Sequence, residues 1–333
     1  MDGNYEIFIK LFENGVDLVD SGKYKQAIRS FDEAIKINPY VEKVWFNKAI
    51  ALEALGKYKE AIYAYDMALE NNPRFYSAWF NKGIAFDNLG QYEEAILAYD
   101  EALSIHPESE NIWYNKGIAL DVLGRYKEAI EAYQAALKIN NDYIDASYNM
   151  GLALADMGRY EEAIEAYDKV LEIKDDYMDA WYNKGTALDR LGRYEEAIEA
   201  YDQQLKMKPD FEKAWNNKGV DLAELGKYKE ANEAYDFALR LKPNSEETWN
   251  NKGIILAKLG MYELAIESYN KALKYKSDYE LAWNNKGNAY ARLERYKEAI
   301  KTYDKALKCK PDYATARINR QHALAILHQE KKS

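Results

Sequence analysis

Apolar side chains recur along this chain at helical spacing, and the whole pattern repeats every 34 residues. In 34-residue windows counted from Phe8, positions 17, 20, 21, 24, 27 and 28 are mostly apolar or aromatic, as at Tyr194, Ala197 and Tyr201 in the window that starts at Met178. This spacing places apolar side chains on one face of a helix. Positions 4, 8, 11 and 14 form an earlier stripe of the same kind. Each window therefore predicts two amphipathic helices, which we call helix A and helix B.

Residues that end helices keep the same phase. All six Pro lie at position 32, all seven Trp at position 4, and sixteen of the seventeen Gly at position 8 or 15. Gly at position 15 predicts the end of helix A, because Gly adopts a left-handed backbone without steric cost. Pro at position 32 predicts the end of helix B, and Asp at position 33 is expected to cap the next helix A. Gly at position 8 and Ala at position 20 are expected to let the two helices approach closely.

The windows together predict an all-α array. A two-helix unit cannot bury its own apolar face, so successive units must stack, with Trp packed between them. Residues 314–333 resemble one more helix A with Arg317 in place of Trp and Gln321 in place of Gly, which predicts a C-terminal capping helix and tail. We expect a single solenoid over residues 1–333. Its nine repeats are 8–41, 42–75, 76–109, 110–143, 144–177, 178–211, 212–245, 246–279 and 280–313.

The repeated motif resembles a known family. The stretch WYNKGTALDRLGRYEEAIEAYDQQLKMKPDF from Trp181 is similar to the tetratricopeptide repeat, in which Trp, Leu-Gly, Tyr, Ala, Phe and Pro recur over 34 residues. The likeness extends from Phe8 to Tyr313. It implies a right-handed superhelix of antiparallel helix pairs, with helices A forming the wall of a groove that binds protein. Departures are Lys for Leu at position 7 in seven windows, Ser147 for Trp and Glu294 for Gly.

The face of helix A that does not pair with helix B carries an amide at one fixed place. Position 6 is Asn in eight consecutive windows. An amide both donates and accepts hydrogen bonds, so a ladder of amides can bind the backbone of an extended peptide whatever its sequence. The alternative is that each Asn ties one repeat to its neighbour, and the sequence leaves both open. The predicted ladder is Asn47, Asn81, Asn115, Asn149, Asn183, Asn217, Asn251 and Asn285.

Positions beside this ladder divide the expected groove in two. Position 5 is aromatic in the first six windows and Asn in the last three, while position 12 changes from acidic to Ala at nearly the same place. Aromatic rings beside carboxylates suit a basic or apolar segment. The C-terminal part, with Lys258 and Arg292 at position 13, should have a different preference. The alternative is that the carboxylates only pair with neighbouring Lys on a solvated face. The predicted groove residues here are Phe46, Phe80, Tyr114, Tyr148, Tyr182, Asp87, Asp121, Asp189, Asn216, Asn250 and Asn284.

One specialisation of the family is not expected in this chain. Members that grip the C-terminal carboxylate of chaperones carry Lys at position 5, Asn at positions 6 and 9, and Lys and Arg on the third repeat. Here position 5 never carries Lys and position 6 never carries Arg. We therefore expect no chaperone-tail carboxylate clamp.

Composition narrows the remaining classes of function. The net charge of -10 argues against nucleic-acid binding, because phosphate contacts need clustered Lys and Arg. A single cysteine, Cys309, excludes an intramolecular disulfide and fits a reducing compartment. No apolar run approaches the ~18 residues that span a bilayer, and residues 1–10 lack the apolar core of a signal peptide. We expect a cytoplasmic protein with no membrane partner.

Catalytic chemistry has no candidate residues. No phosphate-binding glycine loop is present, and His106, His322 and His328 lack helix-spaced metal partners. We therefore expect no enzyme activity, no cofactor and no metal. The leading hypothesis is a scaffold that binds a protein or peptide in the groove of the A helices. The alternative from another class is a structural element that self-associates through its terminal helices.

Overall fold

The structure is a computed structural model that describes residues 2–330, so residues 331–333 of the predicted tail lie outside the described part. All nineteen elements in this range are α-helices, which confirms the all-α class. Contacts divide the chain into two compact units, residues 1–173 and 174–333. That the repeats continue as one solenoid through both units stays a prediction.

Each unit is built from helices A and B in alternation. The first unit contains α1 Asp2–Asp20, α2 Tyr24–Ile37, α3 Glu42–Glu53, α4 Tyr58–Asn71, α5 Tyr76–Asn88, α6 Tyr92–Ile105, α7 Glu110–Val122, α8 Tyr126–Ile139, α9 Ile144–Asp156 and α10 Tyr160–Ile173. The second contains α11 Met178–Arg190, α12 Tyr194–Met207, α13 Glu212–Glu224, α14 Tyr228–Leu241, α15 Glu246–Lys258, α16 Tyr262–Tyr275, α17 Glu280–Arg292, α18 Tyr296–Cys309 and α19 Ala314–Glu330. Within a unit, each helix A packs on the helix B of its own window and on the helix B before it.

Helices A and B of a window meet across Gly at position 8 and an aromatic ring at position 24. A Cβ atom added at Gly117 would lie 2.5 Å from Cε1 of Tyr133, so a side chain there would force the ring or the helix to shift. The same contact recurs at the other position-8 glycines, and the ring at position 24 is almost fully buried in every window. Ala at position 20 is also fully buried throughout. The small residues therefore set the distance between paired helices, as expected.

Helix A ends as expected, but it begins differently. Gly124 has φ +71°, and the N–H of Arg125 donates to the carbonyl of Leu120 over 2.9 Å, which closes the helix end. Glu294 takes the same place with φ +60°. The expected Asp caps at position 33 are wrong. The N-cap residue is position 34, as at Phe75, whose side chain makes no capping hydrogen bond, while at Ser245 the hydroxyl does accept from the N–H of position 3 of the next repeat.

The junction between repeats is formed by the Trp at position 4 and the Lys at position 7. The indole Nε1 of Trp113 donates to the carbonyl of Pro107 in the preceding loop over 2.9 Å. Nζ of Lys116 lies 5.3 Å from the centre of the Trp113 ring and 2.5 Å from Oδ1 of Asp100 on the preceding helix B. The position-7 Lys, which the sequence analysis did not explain, therefore links consecutive repeats through one cation–π contact and one ion pair.

The capping helix α19 reproduces these contacts with arginines. Arg317 donates to the carbonyl of Pro311 over 2.9 Å, as Trp does elsewhere. Arg320 pairs with Asp304 over 2.5 Å, as Lys does elsewhere. Residues 314–330 therefore pack on the last repeat as one more helix A, which agrees with the predicted cap.

Lys286 is an exception among the position-7 lysines. The residue at position 25 of the preceding helix B is Asn270 instead of Asp, and within residues 2–330 Lys286 forms no ion pair. Its Nζ lies 5.1 Å from the Trp283 ring, which Lys305 also approaches at 5.1 Å. Burial and the positive charge of Lys305 lower the pKa of Lys286. This junction therefore lacks the carboxylate that neutralises its lysine.

Restoring that carboxylate should stabilise the second unit. We expect Asn270→Asp to raise the free energy of unfolding by about 0.5–1 kcal/mol, because a partly exposed ion pair contributes roughly that much. Urea denaturation at low and high salt measures the effect. Asp236→Asn, which removes the partner of Lys252, is the matched control and should lower stability similarly. An Asn270→Asp variant no more stable than the parent would contradict this account of the junction.

Candidate functional site

The open face of helix A begins with the position-5 aromatic residues. The rings of Phe46, Phe80, Tyr114, Tyr148 and Tyr182 are all half-buried. Each packs against the position-24 ring of its own window, with centroids 5.9–6.1 Å apart. Their outer edges stay accessible beside position 6. The position of each of these predicted rings is therefore fixed by its contact with the position-24 ring.

The position-6 amides do not all make the same contacts. In Asn47 and Asn115 the side-chain Nδ2 donates to a carbonyl of its own helix, 2.7 Å away in both cases. Asn149 donates instead to the hydroxyl of Tyr114 in the preceding repeat over 3.1 Å. All eight amides of the predicted ladder are partly exposed. The early members are therefore held by their own helix, whereas Asn149 joins two repeats.

In the second unit the amides connect repeats more consistently. Asn217 lies 3.5 Å from the hydroxyl of Tyr182, and Asn285 donates to Oδ1 of Asn250 over 3.1 Å. Asn250 and Asn284 are buried, with 4% and 3% of their surfaces exposed. These two predicted groove residues therefore lie inside the repeat junctions, because each accepts a hydrogen bond from the position-6 amide that follows. Asn216 is half-buried and accepts from the hydroxyl of position 3 in the next repeat.

Carboxylates at position 12 line the same face in the first unit. Tyr65 donates its hydroxyl to Glu53 over 2.6 Å, and Tyr99 donates likewise to Asp87. Burial raises the pKa of Asp87 to about 6 even though the Tyr99 hydrogen bond opposes the shift. Burial also raises the pKa of Glu53.

Asp121 continues this column on α7. Burial raises its pKa first, and the charge of Asp156 on α9 adds to the shift. Within residues 2–330, neither Asp121 nor the two preceding position-12 carboxylates form an ion pair, so the structure does not support the alternative that they pair with Lys. Each also has one buried oxygen without a hydrogen-bond partner among the described residues. The three carboxylates Glu53, Asp87 and Asp121 therefore have no cationic partner in the described part of the protein.

A different carboxylate contact occurs in the second unit, where Asp189 meets Asp221. Asp221 is completely buried at position 10, where most windows have Ala, and neither of its oxygens has a hydrogen-bond partner among residues 2–330. Burial is the largest cause that raises the pKa of Asp221 to about 9, and the neighbouring carboxyl groups of Asp189 and Glu224 add to the shift. The sequence analysis missed this pair, although an Asp at a position kept for Ala was the available signal.

Removing the buried carboxyl should stabilise the second unit increasingly as pH rises. A folded pKa above the unfolded value of about 3.9 means that the folded state holds the proton more tightly, so the stability from Asp221 falls between pH 4 and 9. We expect Asp221→Ala to raise the free energy of unfolding by about 1–3 kcal/mol at neutral pH, since an unpaired buried polar group costs that much.

The measurement is urea denaturation at pH 6, 7.5 and 9, with Glu199→Ala, an exposed carboxylate on α12, as the control. The gap between Asp221→Ala and the parent should widen towards pH 9. A gap that is independent of pH, or a less stable variant, would show that Asp221 has a stabilising partner.

Two cavities open beside helices A at the C-terminal end of the second unit. A cavity of about 390 Å³ is lined by Lys258, Arg292, Asn285 and Asn288 from α15 and α17. A second, of about 670 Å³, shares Arg292 and Asn288 and includes Asn319 of α19. No Asp or Glu lines either cavity.

A metal site, a reactive thiol or a membrane-spanning helix would each indicate another kind of function. No group of three or more His, Cys, Asp or Glu side chains within residues 2–330 is arranged to hold a metal ion. The single cysteine, Cys309, is exposed, and slight desolvation of its thiol, together with the nearby Asp278 and Glu280, raises the pKa of that thiol. A raised pKa disfavours the nucleophilic thiolate. Among the same residues, no helix is both long and apolar enough to span a bilayer.

Comparison with protein families identifies the class. Tetratricopeptide-repeat models match residues 12–74, 46–110, 80–144 and 148–210, and further models of this repeat match 221–260, 246–279 and 281–313. The chain belongs to the tetratricopeptide-repeat family. Proteins of this family are generally scaffolds for protein interactions and typically have no catalytic activity of their own.

Known structures and one curated protein show the same likeness. YrrB, described as a tetratricopeptide-repeat protein with an unusual peptide-binding site, is 25% identical, with 58% of this chain and 99% of YrrB covered and a TM-score of 0.51. A tetratricopeptide-repeat protein of Parabacteroides merdae is 17% identical, covering 75% and 98%, with a TM-score of 0.54. The uncharacterized protein MJ0572 of Methanocaldococcus jannaschii is 36% identical over 55 residues, 16% of this chain. The match spans 64% of that protein, less than two thirds of its length.

Proposed function

We propose that this chain is a non-catalytic, cytoplasmic scaffold that binds an extended peptide or protein segment along the open faces of its A helices. In the first unit the preferred segment is basic or apolar. The observation that carries this proposal is the column of position-12 carboxylates, partly exposed and without ion-pair partners, next to half-buried aromatic rings.

The chemistry of this column favours a cationic side chain. A Lys or Arg that lies over an aromatic ring and also reaches a carboxylate gains a cation–π contact and a charge-assisted hydrogen bond. The pKa of Asp87 is raised in the free protein, where its carboxylate has no cationic partner. A bound Lys or Arg would supply that partner. Apolar segments of the ligand would pack on the ring edges of Phe46 and Phe80.

Amides and relatives add support to the same proposal. The half-exposed amides of Asn47 and Asn115 keep an unused oxygen that can accept an N–H of an extended backbone. YrrB, which this chain resembles over 58% of its length, is described as having a peptide-binding site. Because position 5 never carries Lys, a chaperone-tail carboxylate is not among the ligands that we propose.

Neutralising the column tests the charge preference. We expect Glu53→Gln, Asp87→Asn and Asp121→Asn combined to weaken binding of a fluorescein-labelled peptide of alternating Lys, Leu and Ser by about tenfold or more. Folding should be intact, because burial already disfavours the charged forms of these three groups. Fluorescence anisotropy measures affinity, and circular dichroism measures the melting temperature.

A matched variant controls for net charge. Glu94→Gln, Glu101→Gln and Glu131→Gln remove the same charge from exposed faces of α6 and α8 and should change affinity by about twofold or less. Equal losses in both triple variants would mean diffuse electrostatic attraction and would overturn the proposed face. Sedimentation of the parent over a range of concentrations checks that binding does not reflect self-association.

The two interpretations of the position-6 amides can also be separated. Asn47→Ala combined with Asn115→Ala should weaken peptide binding by about threefold or more without lowering the melting temperature, because neither amide joins repeats. Asn149→Ala should lower the free energy of unfolding by about 1 kcal/mol relative to Asn47→Ala, a comparison that cancels helix propensity. Unchanged affinity in the double variant would assign these amides a structural role alone.

A further inference from the structure

We propose that the open face at the C-terminal end of the second unit binds an acidic peptide segment, one carboxylate of which lies between Lys258 and Arg292. This inference rests on the proposed peptide-binding function and assigns this face the opposite charge preference from that of the first unit. It follows from three independent features of α15, α17 and α19: unpaired cations, an amide donor without an acceptor, and cavities without acidic groups.

The first feature is that both cations lack partners. Lys258 and Arg292 are exposed, and within residues 2–330 neither forms an ion pair. Two nearby cations differ in this respect, because Lys252 pairs with Asp236 and Arg295 pairs with Glu298. The two position-13 residues therefore keep their full charge for a ligand, in a chain whose net charge is -10.

The second feature is the orientation of Asn288, which lines both cavities. Its Oδ1 accepts hydrogen bonds from the hydroxyl of Tyr303 over 2.8 Å and from Nδ2 of Asn319 over 3.0 Å. Its own Nδ2 is thereby left with no acceptor among the described residues. Lys and Arg have donors and no acceptors, so Asn288 adds a third donor to the same surface. Three donors on one surface fit a group that only accepts, such as a carboxylate.

The third feature is the absence of acidic residues from the two cavity linings. By contrast, a cavity of about 350 Å³ between α8 and α10 carries both signs, with Lys138, Glu162 and Glu165 in its lining. Net negative charge elsewhere in the chain repels long polyanions such as nucleic acid, whereas a peptide with separated carboxylates places one charge at each cation. Arg292 can bind such a carboxylate through two parallel hydrogen bonds.

The test uses the full chain and two labelled peptides. One is a short fluorescein-labelled peptide of Glu, Ser and Gly, and the other has Gln in place of every Glu. We expect Lys258→Gln with Arg292→Gln to weaken binding of the Glu peptide by about tenfold or more. The control, Lys297→Gln with Lys301→Gln, removes the same charge from the exposed face of α18 and should leave affinity within about twofold.

Asn288→Asp gives an isosteric second variant. It keeps the acceptor for Tyr303 and Asn319 but replaces the free donor by a carboxylate, so it should weaken the Glu peptide and leave the Gln peptide unchanged. Equal affinity of the parent for the two peptides, or equal losses in the two double variants, would overturn the inference. If the Lys-rich peptide still binds the first unit in that case, the proposed function stands and only this assignment fails.

Discussion

The pairing of helices A and B depends on the contact between a small residue at position 8, Gly in eight windows and Ala49 in the second, and the aromatic ring at position 24. At Gly117 there is no room for a Cβ atom beneath the ring of Tyr133, so the distance between paired helices is set by that ring. In most repeats the ring belongs to tyrosine, whose hydroxyl extends through the pair towards the open face of helix A. There it meets Glu53 or Asp87 in the first unit and Asn288 in the second. One side chain thus couples the packing of the helices to the polar groups of the candidate site.

The two candidate faces differ in the charge of their side chains. In the first unit, half-buried carboxylates without cations are accompanied by aromatic rings, and burial raises the pKa of Asp87. In the second, Lys258 and Arg292 have no carboxylate partner, and the Asn288 amide in the same cavity offers a donor. Both faces are built on the same helix positions, so a few substitutions at positions 12 and 13 change the charge of the face while the packing stays the same. Repeat proteins suit such variation, because each repeat contacts only its neighbours.

Much of the fold could be predicted, because Gly, Pro and Trp recur at one phase and each acts locally. The ends of helix A follow from Gly at position 15, and the start of α19 follows from the repeat period. Properties that depend on a neighbouring repeat could not be predicted as well. The ion pair of Lys116 with Asp100 requires two helices, and the burial of Asn250 depends on the amide of Asn285. The same holds for Asp221, whose raised pKa arises from Asp189 on another helix as well as from burial.

The central claim is that the open faces of the A helices bind peptides with opposite charge preferences in the two units. Its most direct measurement is an NMR titration of protein labelled with nitrogen-15 at asparagine, in which the side-chain amide signals are followed. The account predicts that a Lys-rich peptide shifts the signals of Asn47 and Asn115, and that a Glu-rich peptide shifts the signal of Asn288. Shifts confined to Asn71 and Asn270, which lie on helices B, would contradict it.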